Sequence, residues 1–364
     1  MPALEAASDV QAEIHALLPE SPDAQTRARF RGAVKVISTP LAQRDRPAWA
    51  FAGKVLSLLA ILRRVEPDVI VGYSIRSIIS LALAFPMLRA RRYVLVVTGL
   101  GVSDILESRN SRVYRAIFYQ LMRWMNQSSK VWFIFENDSD ATRIGIPIHR
   151  RTRHLILMGA GVDPDEFRPA PKPQPRPLRL ATVGRLVWSK GTDLAAKAVS
   201  ALVQEGYELS LDIYGRPDPA NPLPIDEKTI ADWTRKGAGV HYQGHVDDVP
   251  QIWREHHVGI FPTRGGEGLP RVLLEAAACG VPTIVTRVPG CQDFVRDGIE
   301  GFVVEANSVD ELKSAIKRFV EEPDLIATLG RAGRERVLKT ATTEIVKQQY
   351  RSLFSFDTSK PSNE

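Results

Sequence analysis

RGGEGLPRVLLEAAACGVP, running from Arg264 to Pro282, joins a glycine-rich loop to an apolar helical run that holds a single glutamate, Glu275. Gly265, Gly266 and Gly268 let the backbone approach a ligand closely, and Pro270 suits a first helical turn, where its missing N–H costs nothing. A helix beginning there leaves the amides of Arg271 and Val272 without intrahelical acceptors and adds the partial positive charge of its dipole. The start of this helix is therefore a candidate phosphate cradle, with Gly266, Gly268 and Leu269 on the approach to it.

Glu267 and Glu275 are eight positions apart, one in the loop and the other about two turns along the helix. They can touch different parts of one long ligand. A carboxylate accepts two hydroxyl donors at once, which suits a ribose or a sugar diol. An ordinary alternative exists: Glu275 as a surface partner of Arg271 one turn back, and Glu267 as an acid placed for the helix dipole. These residues alone leave both readings open.

Outward from this stretch, RLATVG (179–184) runs into Arg185, then Ser189, Lys190 and Gly191, before a helical segment. A strand, a basic loop and a helix follow one another. Arg185 and Lys190 can grip a diphosphate, arginine as a planar fork and lysine as a point charge, although solvated loop charge is the ordinary reading. LSLDIYG (209–215), VHYQGHV (240–246), VGIFPT (258–263) and PTIVT (282–286) are further short apolar runs separated by helical stretches. The alternation predicts an α/β fold with a parallel sheet. In such sheets ligands bind beyond the carboxyl ends of the strands, where Arg185, Lys190 and Gly265 to Gly268 all fall.

GRLVWSKG, DIYG, YQGHVDDVP, GGEGLPRVLLEAAACGVP and VPGCQDFVRDGIEGFVV together resemble the retaining nucleotide-sugar glycosyltransferases of family 4, particularly those that build bacterial capsule, O-antigen and other lipid-linked glycans. Upstream, EPDVIVGYSIRSIISLALAF and VVTGLGVSDIL look like the acceptor half of the same subgroup. The resemblance implies the GT-B fold, two Rossmann-like domains with parallel sheets facing across a cleft. It further implies that Arg185 and Lys190 hold the donor diphosphate, Glu275 the ribose and Glu267 the transferred sugar. The amides of Arg271 and Val272 would complete the cradle, and the backbone near Val246 would lie beside the base. The donor is expected to be a nucleoside-diphosphate sugar with UDP as the nucleotide, no cofactor or metal is called for, and the acceptor is expected to be a lipid-linked or polysaccharide glycan. No obvious nucleophile decides between front-face attack and a covalent intermediate. A sugar-nucleotide epimerase of the same fold, and a non-catalytic donor-binding scaffold, are the alternatives.

Length agrees with two domains, since 364 residues exceed the size at which one core keeps growing, and 44% apolar residues can fill two. The expected division is 1–168 for an acceptor domain and 178–342 for a nucleotide-sugar domain, joined by the stiff, proline-alternating PAPKPQPRP (169–177). TEIVKQQYRSLFSF (343–356) carries Ile345, Val346, Gln349, Leu353 and Phe356 at helical spacing, and by resemblance crosses back to the first domain. Residues 357–364 read as a polar tail. Two features depart from the family. MPALEAASD already looks like the tail of the helix that follows a first strand and its glycine-rich loop, and VQAEIHALLP like the second strand, so one strand and its loop are expected to be missing. Thr98 in TGLG stands where many members carry a histidine touching the donor sugar. Thr98, Gly99 and Gly101 are thus candidate cleft residues.

The net charge of +6 is uneven: residues 1–168 carry +7 and the rest −1. Arg89, Arg91 and Arg92 flank an apolar run, and RVYRAIFYQLMRWMNQ mixes Arg112, Arg115 and Arg123 with aromatic residues. This composition suits peripheral contact with an anionic membrane. The competing reading makes Val113, Ile117, Leu121 and Trp124 the core face of a helix. The sequence pI of 9.3 comes with no basic stripe or recognition motif, which argues against nucleic acid, and no GxGxxG follows a strand, which disfavours a nicotinamide dehydrogenase. Two cysteines, Cys279 and Cys291, fit a reducing cytoplasm. The most apolar windows fall short of the ~20 residues of a membrane span, so the expected location is the cytoplasm, at the inner face of the membrane.

Overall fold

The computed structural model describes residues 2–9, 13–19, 34–39, 48–101, 108–146, 153–171, 176–219 and 221–354. Part of the proline-rich stretch (172–175), Phe356 and the 357–364 tail lie outside the described residues, as does 102–107 of the segment after TGLG.

The N-terminal half opens with α1 (Pro2–Asp9) and a parallel pair, β1 (Ile14–Pro19) and β2 (Val34–Thr39). After α2 (Ala48–Val65) comes a four-stranded parallel sheet of β3 (Val69–Tyr73), β4 (Arg92–Val97), β5 (Val131–Phe135) and β6 (His154–Ile156), in that spatial order. β4 reads RYVLVV and is buried from Tyr93 to Val97, the signature of a strand covered on both faces. Helices α3 (Ile75–Ala84), α4 (Arg109–Met125) and α5 (Asp138–Ile144) connect these strands. Leu81, Phe118, Met122 and Phe133 meet in the core of this half.

The C-terminal half is a six-stranded parallel sheet of β7 (Leu178–Val183), β8 (Leu209–Tyr214), β9 (Val240–Gly244), β10 (Val258–Phe261), β11 (Thr283–Thr286) and β12 (Gly301–Val304). Its spatial order is β12-β11-β10-β7-β8-β9, so direction reverses beside β7, the switch point at which open α/β sheets bind ligands. All five apolar runs read as strands are strands, and GFVV adds the sixth. The helices are α6 (Thr192–Gln204), α7 (Glu227–Trp233), α8 (Val249–Glu255), α9 (Arg271–Ala278), α10 (Cys291–Phe294), α11 (Val309–Glu321) and α12 (Asp324–Thr340). Two parallel sheets flanked by helices bear out the expected α/β architecture.

α13 (Thr343–Phe354) lies on the N-terminal sheet. Val346, Tyr350 and Leu353 pack with Val94, Val96 and Ile134 and with Ala3 and Ala6 of α1. Ile345 is only half-buried, and Tyr350, not singled out by the helical spacing, takes the central place. Lys347 pairs with Glu5 at 2.6 Å, and Arg351 Nε donates to Asp9 at 2.8 Å. The two chain crossings between the halves run side by side: the Val162 amide donates to the Ala341 carbonyl, and the Thr343 amide to the Val162 carbonyl, both at 3.0 Å.

Candidate functional site

β7 ends at Val183, and the loop behind it turns back on itself at Gly191, whose φ is +69°. A Cβ there would lie 1.9 Å from the Pro262 carbonyl oxygen, so only glycine lets this loop rest on the end of β10. Lys190 Nζ forms an ion pair with Glu267 of the glycine-rich loop. Arg264 binds the two loops into one unit: its guanidinium donates to both carboxylate oxygens of buried Asp193 at 2.9 Å, and its amide donates to the Ser189 carbonyl at 2.8 Å. This paired fork keeps Lys190 and Glu267 in register. Sequence reading left Arg264 unassigned, because Asp193 is 71 positions away.

A pocket opens at this point, its wall including Arg185, Lys190, Thr263, Glu267, Pro270 and Val272. Arg185 leans out to Asp218, its Nη1 donating at 2.8 Å. α9 begins at Arg271, with Pro270 as its N-cap, one position earlier than the first-turn place expected. Arg271 and Glu275 lie outside the pocket wall and bind each other, Arg271 Nε to Glu275 Oε1 at 2.8 Å. The helix pair expected on ordinary grounds therefore forms, but Glu275 is no surface residue, being 8% exposed among Leu273, Leu274 and Ala276 to Ala278. Burial raises its carboxyl above the usual range, against the opposing charge and hydrogen bond of Arg271. Val246 sits beyond β9, half-buried against the neighbouring core.

From across the cleft the 98–101 loop meets the 266–269 segment backbone to backbone. The Gly101 amide donates to the Gly266 carbonyl at 2.8 Å, and the Gly268 amide to the Thr98 carbonyl at 3.1 Å. Gly99 has φ of +104°, and a Cβ on it would stand 2.3 Å from the Gly268 nitrogen. Thr98 and Gly99 are thus brought to the same loop as Glu267, whereas Leu269 turns its side chain into the core.

Sequence reading missed Glu136, the residue immediately after β5. Its Oε2 accepts the Leu269 amide at 2.9 Å. Burial pushes its carboxyl up to about 7, the Leu269 bond opposing, with the charges of Asp140 and Glu267 adding to the rise. The available signal was an acid directly following the apolar run VWFIF, at a strand's carboxyl end.

α4 overturns the core-face reading of Val113, Ile117 and Trp124, which are 52%, 54% and 41% exposed. The face turned to the sheet is instead Phe118, Met122 and Met125. Trp124 sets its ring edge against Phe85, 5.6 Å between centroids, and Leu83 and Met87 are exposed beside Phe85. Of the six arginines expected on this surface, Arg91 pairs with Asp68 at 3.2 Å, Arg92 donates to the Leu353 carbonyl under α13, and Arg115 is half-buried. Arg89, Arg112 and Arg123 are exposed.

Residues 177–322 match the family model described as Glycosyl transferases group 1. The capsular polysaccharide biosynthesis glycosyltransferase CapM of Staphylococcus aureus is 31% identical over 176 residues, 48% of this chain and 45% of that protein. The GDP-mannose-dependent alpha-(1-6)-phosphatidylinositol monomannoside mannosyltransferase of Mycolicibacterium smegmatis is 31% identical over 195 residues, 49% of this chain and 50% of that protein. The chain spans about half the length of the curated relatives it matches. Among solved structures, Anabaena HepE in complex with UDP and glucose aligns with a TM-score of 0.74 at 16% identity, over 98% of this chain and 95% of that one. That likeness is one of fold: two parallel sheets of the GT-B type.

Proposed function

We propose that this GT-B chain, whose C-terminal half is a group 1 glycosyl transferase domain, moves a sugar from a nucleoside-diphosphate donor to a glycan acceptor in bacterial surface polysaccharide synthesis. The observation that carries the reading is the Lys190–Glu267 ion pair, set between the carboxyl end of β7 and the start of α9. Each member is suited to a different part of one donor. A diphosphate takes the lysine, and sugar hydroxyls take the glutamate, so the donor replaces both halves of the pair. Negative charge developing on the departing diphosphate is met by Lys190, by Arg185 once it leaves Asp218, and by the first amides of α9. Glu275 serves the ribose after exchanging Arg271 for its hydroxyls, and the backbone at Val246 borders the base. Thr98 and Gly99 border the transferred sugar. Transfer with retention at the anomeric carbon, without a metal, and with UDP as the nucleotide belongs to the same proposal. HepE was solved with UDP and glucose, whereas the mycobacterial relative is GDP-mannose-dependent, so both nucleotides enter the test.

The test is calorimetric titration of UDP and GDP into the protein and into Glu275→Ala. Loss of hydrogen bonds to a charged carboxylate costs about 1.5 to 3 kcal/mol, a weakening of order ten- to a hundredfold. A folded protein that binds neither nucleotide would refute the reading.

The exposed face of α4 adds a proposed partner, the anionic inner surface of the cytoplasmic membrane, where a lipid-linked acceptor resides. Val113, Ile117, Trp124 and Met87 supply apolar area, and Arg89, Arg112 and Arg123 each add about 1 kcal/mol near such a surface. No helix among the described residues is long and apolar enough to cross a membrane. The protein is expected to sediment with phosphatidylglycerol vesicles at low salt but not with phosphatidylcholine vesicles, and Ile117→Asp with Trp124→Ser should abolish this. Equal sedimentation of the double variant would remove α4 from the contact.

A further inference from the structure

We propose that Glu136 is a positioning residue for the transfer: reaching out of the N-terminal sheet, it holds the Leu269 amide and so fixes the loop that presents Glu267 to the sugar. The inference rests on the transferase reading given above. Thr98 and Glu136 stand just beyond the carboxyl ends of the adjacent strands β4 and β5, and both meet the 266–269 loop. Thr98 meets the loop by its backbone, while Glu136 meets it by an acceptor side chain that spans the two halves at 2.9 Å. The fit is mutual. A Cβ on Gly268 would lie 1.9 Å from Glu136 Oε2 and 2.9 Å from the Thr98 carbonyl carbon, so the glycine following Glu267 is the residue that admits the carboxylate.

The carboxyl group is an expensive choice for a mere spacer. Burial and two neighbouring acids, Asp140 and Glu267, act against its charge, and a group kept under such pressure in a cleft is a candidate for function. Its action is indirect. Glu136 bonds to Leu269, two positions after Glu267, and the bond decides how far the loop projects from the start of α9. A displacement of about 1 Å at a reacting centre can cost of order a hundredfold in rate. The proposed phosphate contacts come from Lys190 and Arg185 of the β7 loop and from the first amides of α9, none of which bonds to Glu136, so nucleotide affinity should change far less than kcat.

The experiment compares Glu136→Ala and Glu136→Gln in three readouts: calorimetric affinity for UDP and GDP, turnover of the sugar nucleotide, and hydrogen exchange in the 264–270 segment. Glu136→Ala is expected to keep nucleotide affinity within about twofold, to lose turnover in kcat by roughly ten- to a hundredfold, and to exchange Leu269 at least about tenfold faster. Glu136→Gln retains an acceptor oxygen of the same reach and should restore the slow exchange and most of kcat. Unchanged exchange in Glu136→Ala overturns the proposal, and so does a loss of nucleotide affinity equal to the loss of kcat, which would mark a general collapse of the fold. A wild-type protein that binds no nucleotide counts against the transferase reading instead, and exchange then judges the Glu136–Leu269 bond by itself.

Discussion

Lys190→Ala is expected to lower kcat by about a hundred- to a thousandfold, the range seen when one preorganised donor is taken from developing negative charge. Lys190 is held for the task from three sides. Gly191 seats its loop on the Pro262 carbonyl, Arg264 ties the loop to Asp193 and Ser189, and Glu267 holds the ammonium itself. The lysine side chain is therefore already ordered before any ligand arrives, and little rotamer entropy is lost on binding. Its removal leaves Glu267 without its partner, but both side chains keep solvent contact, at 23% and 22% exposure, so the melting temperature should hardly change. Lys190→Arg keeps the charge and loses the compact point geometry, and should recover only part of the rate. Steady-state kinetics with the best sugar nucleotide decides the matter. A kcat within threefold of the wild type would show that the diphosphate is held elsewhere.

Replacing His256 should cost about 3 to 5 kcal/mol of stability, and this residue borders the pocket wall through Tyr214, whose ring it meets edge-on at 5.7 Å. His256 is fully buried, its Nδ1 2.7 Å from the Ile252 carbonyl and its Nε2 2.8 Å from Asp212 Oδ2. Each ring nitrogen thus faces one oxygen, and the ring is the main side-chain partner of the Asp212 carboxylate. Burial raises the Asp212 carboxyl, but the hydrogen bonds from His256 and Gln243 and the charges of His256 and Arg179 outweigh it and hold the group below its usual range. A carboxyl lowered in the folded state contributes stability that is present above its unfolded value of 3.8 and is lost as pH falls through the folded one. Urea midpoints of the wild type should therefore decline below about pH 4, and His256→Leu should melt early at neutral pH because Asp212 is left buried without its main partner. A loss smaller than about 1 kcal/mol would mean that Gln243 and Arg179 suffice for Asp212.

What could be read in the sequence was what is encoded locally. Apolar runs such as LSLDIYG and VGIFPT carry their own strand signal, and the glycines around Glu267 announce close backbone contact whatever lies opposite. Glu136 showed only as an acid at a strand's carboxyl end, because its meaning comes from Leu269, 133 positions later, and VWFIFEND contains nothing that points there. Arg264 was hidden for the same reason. On α4 the difficulty was different: two apolar stripes lie next to each other, and periodicity cannot tell which one the sheet will take. Phe118, Met122 and Met125 join the core with residues of β4 and β5, leaving Ile117 and Trp124 outside. Pairing of Arg271 with Glu275 followed from helical spacing, but the burial of that glutamate depended on the neighbouring strands.

The seating of α13 on β4 and β5 makes heat or denaturant act on both halves at once. Melting the N-terminal sheet would strip the cover from Val346, Tyr350 and Leu353, and melting the C-terminal half would withdraw their helix from Val94 and Ile134. Through this shared helix the two halves are expected to lose structure together in spite of their separate cores, and coincident unfolding transitions from a probe in each half would check it. A small molecule that contacts only residues beyond 180 thereby protects strands more than 80 positions upstream of it, through mass action alone.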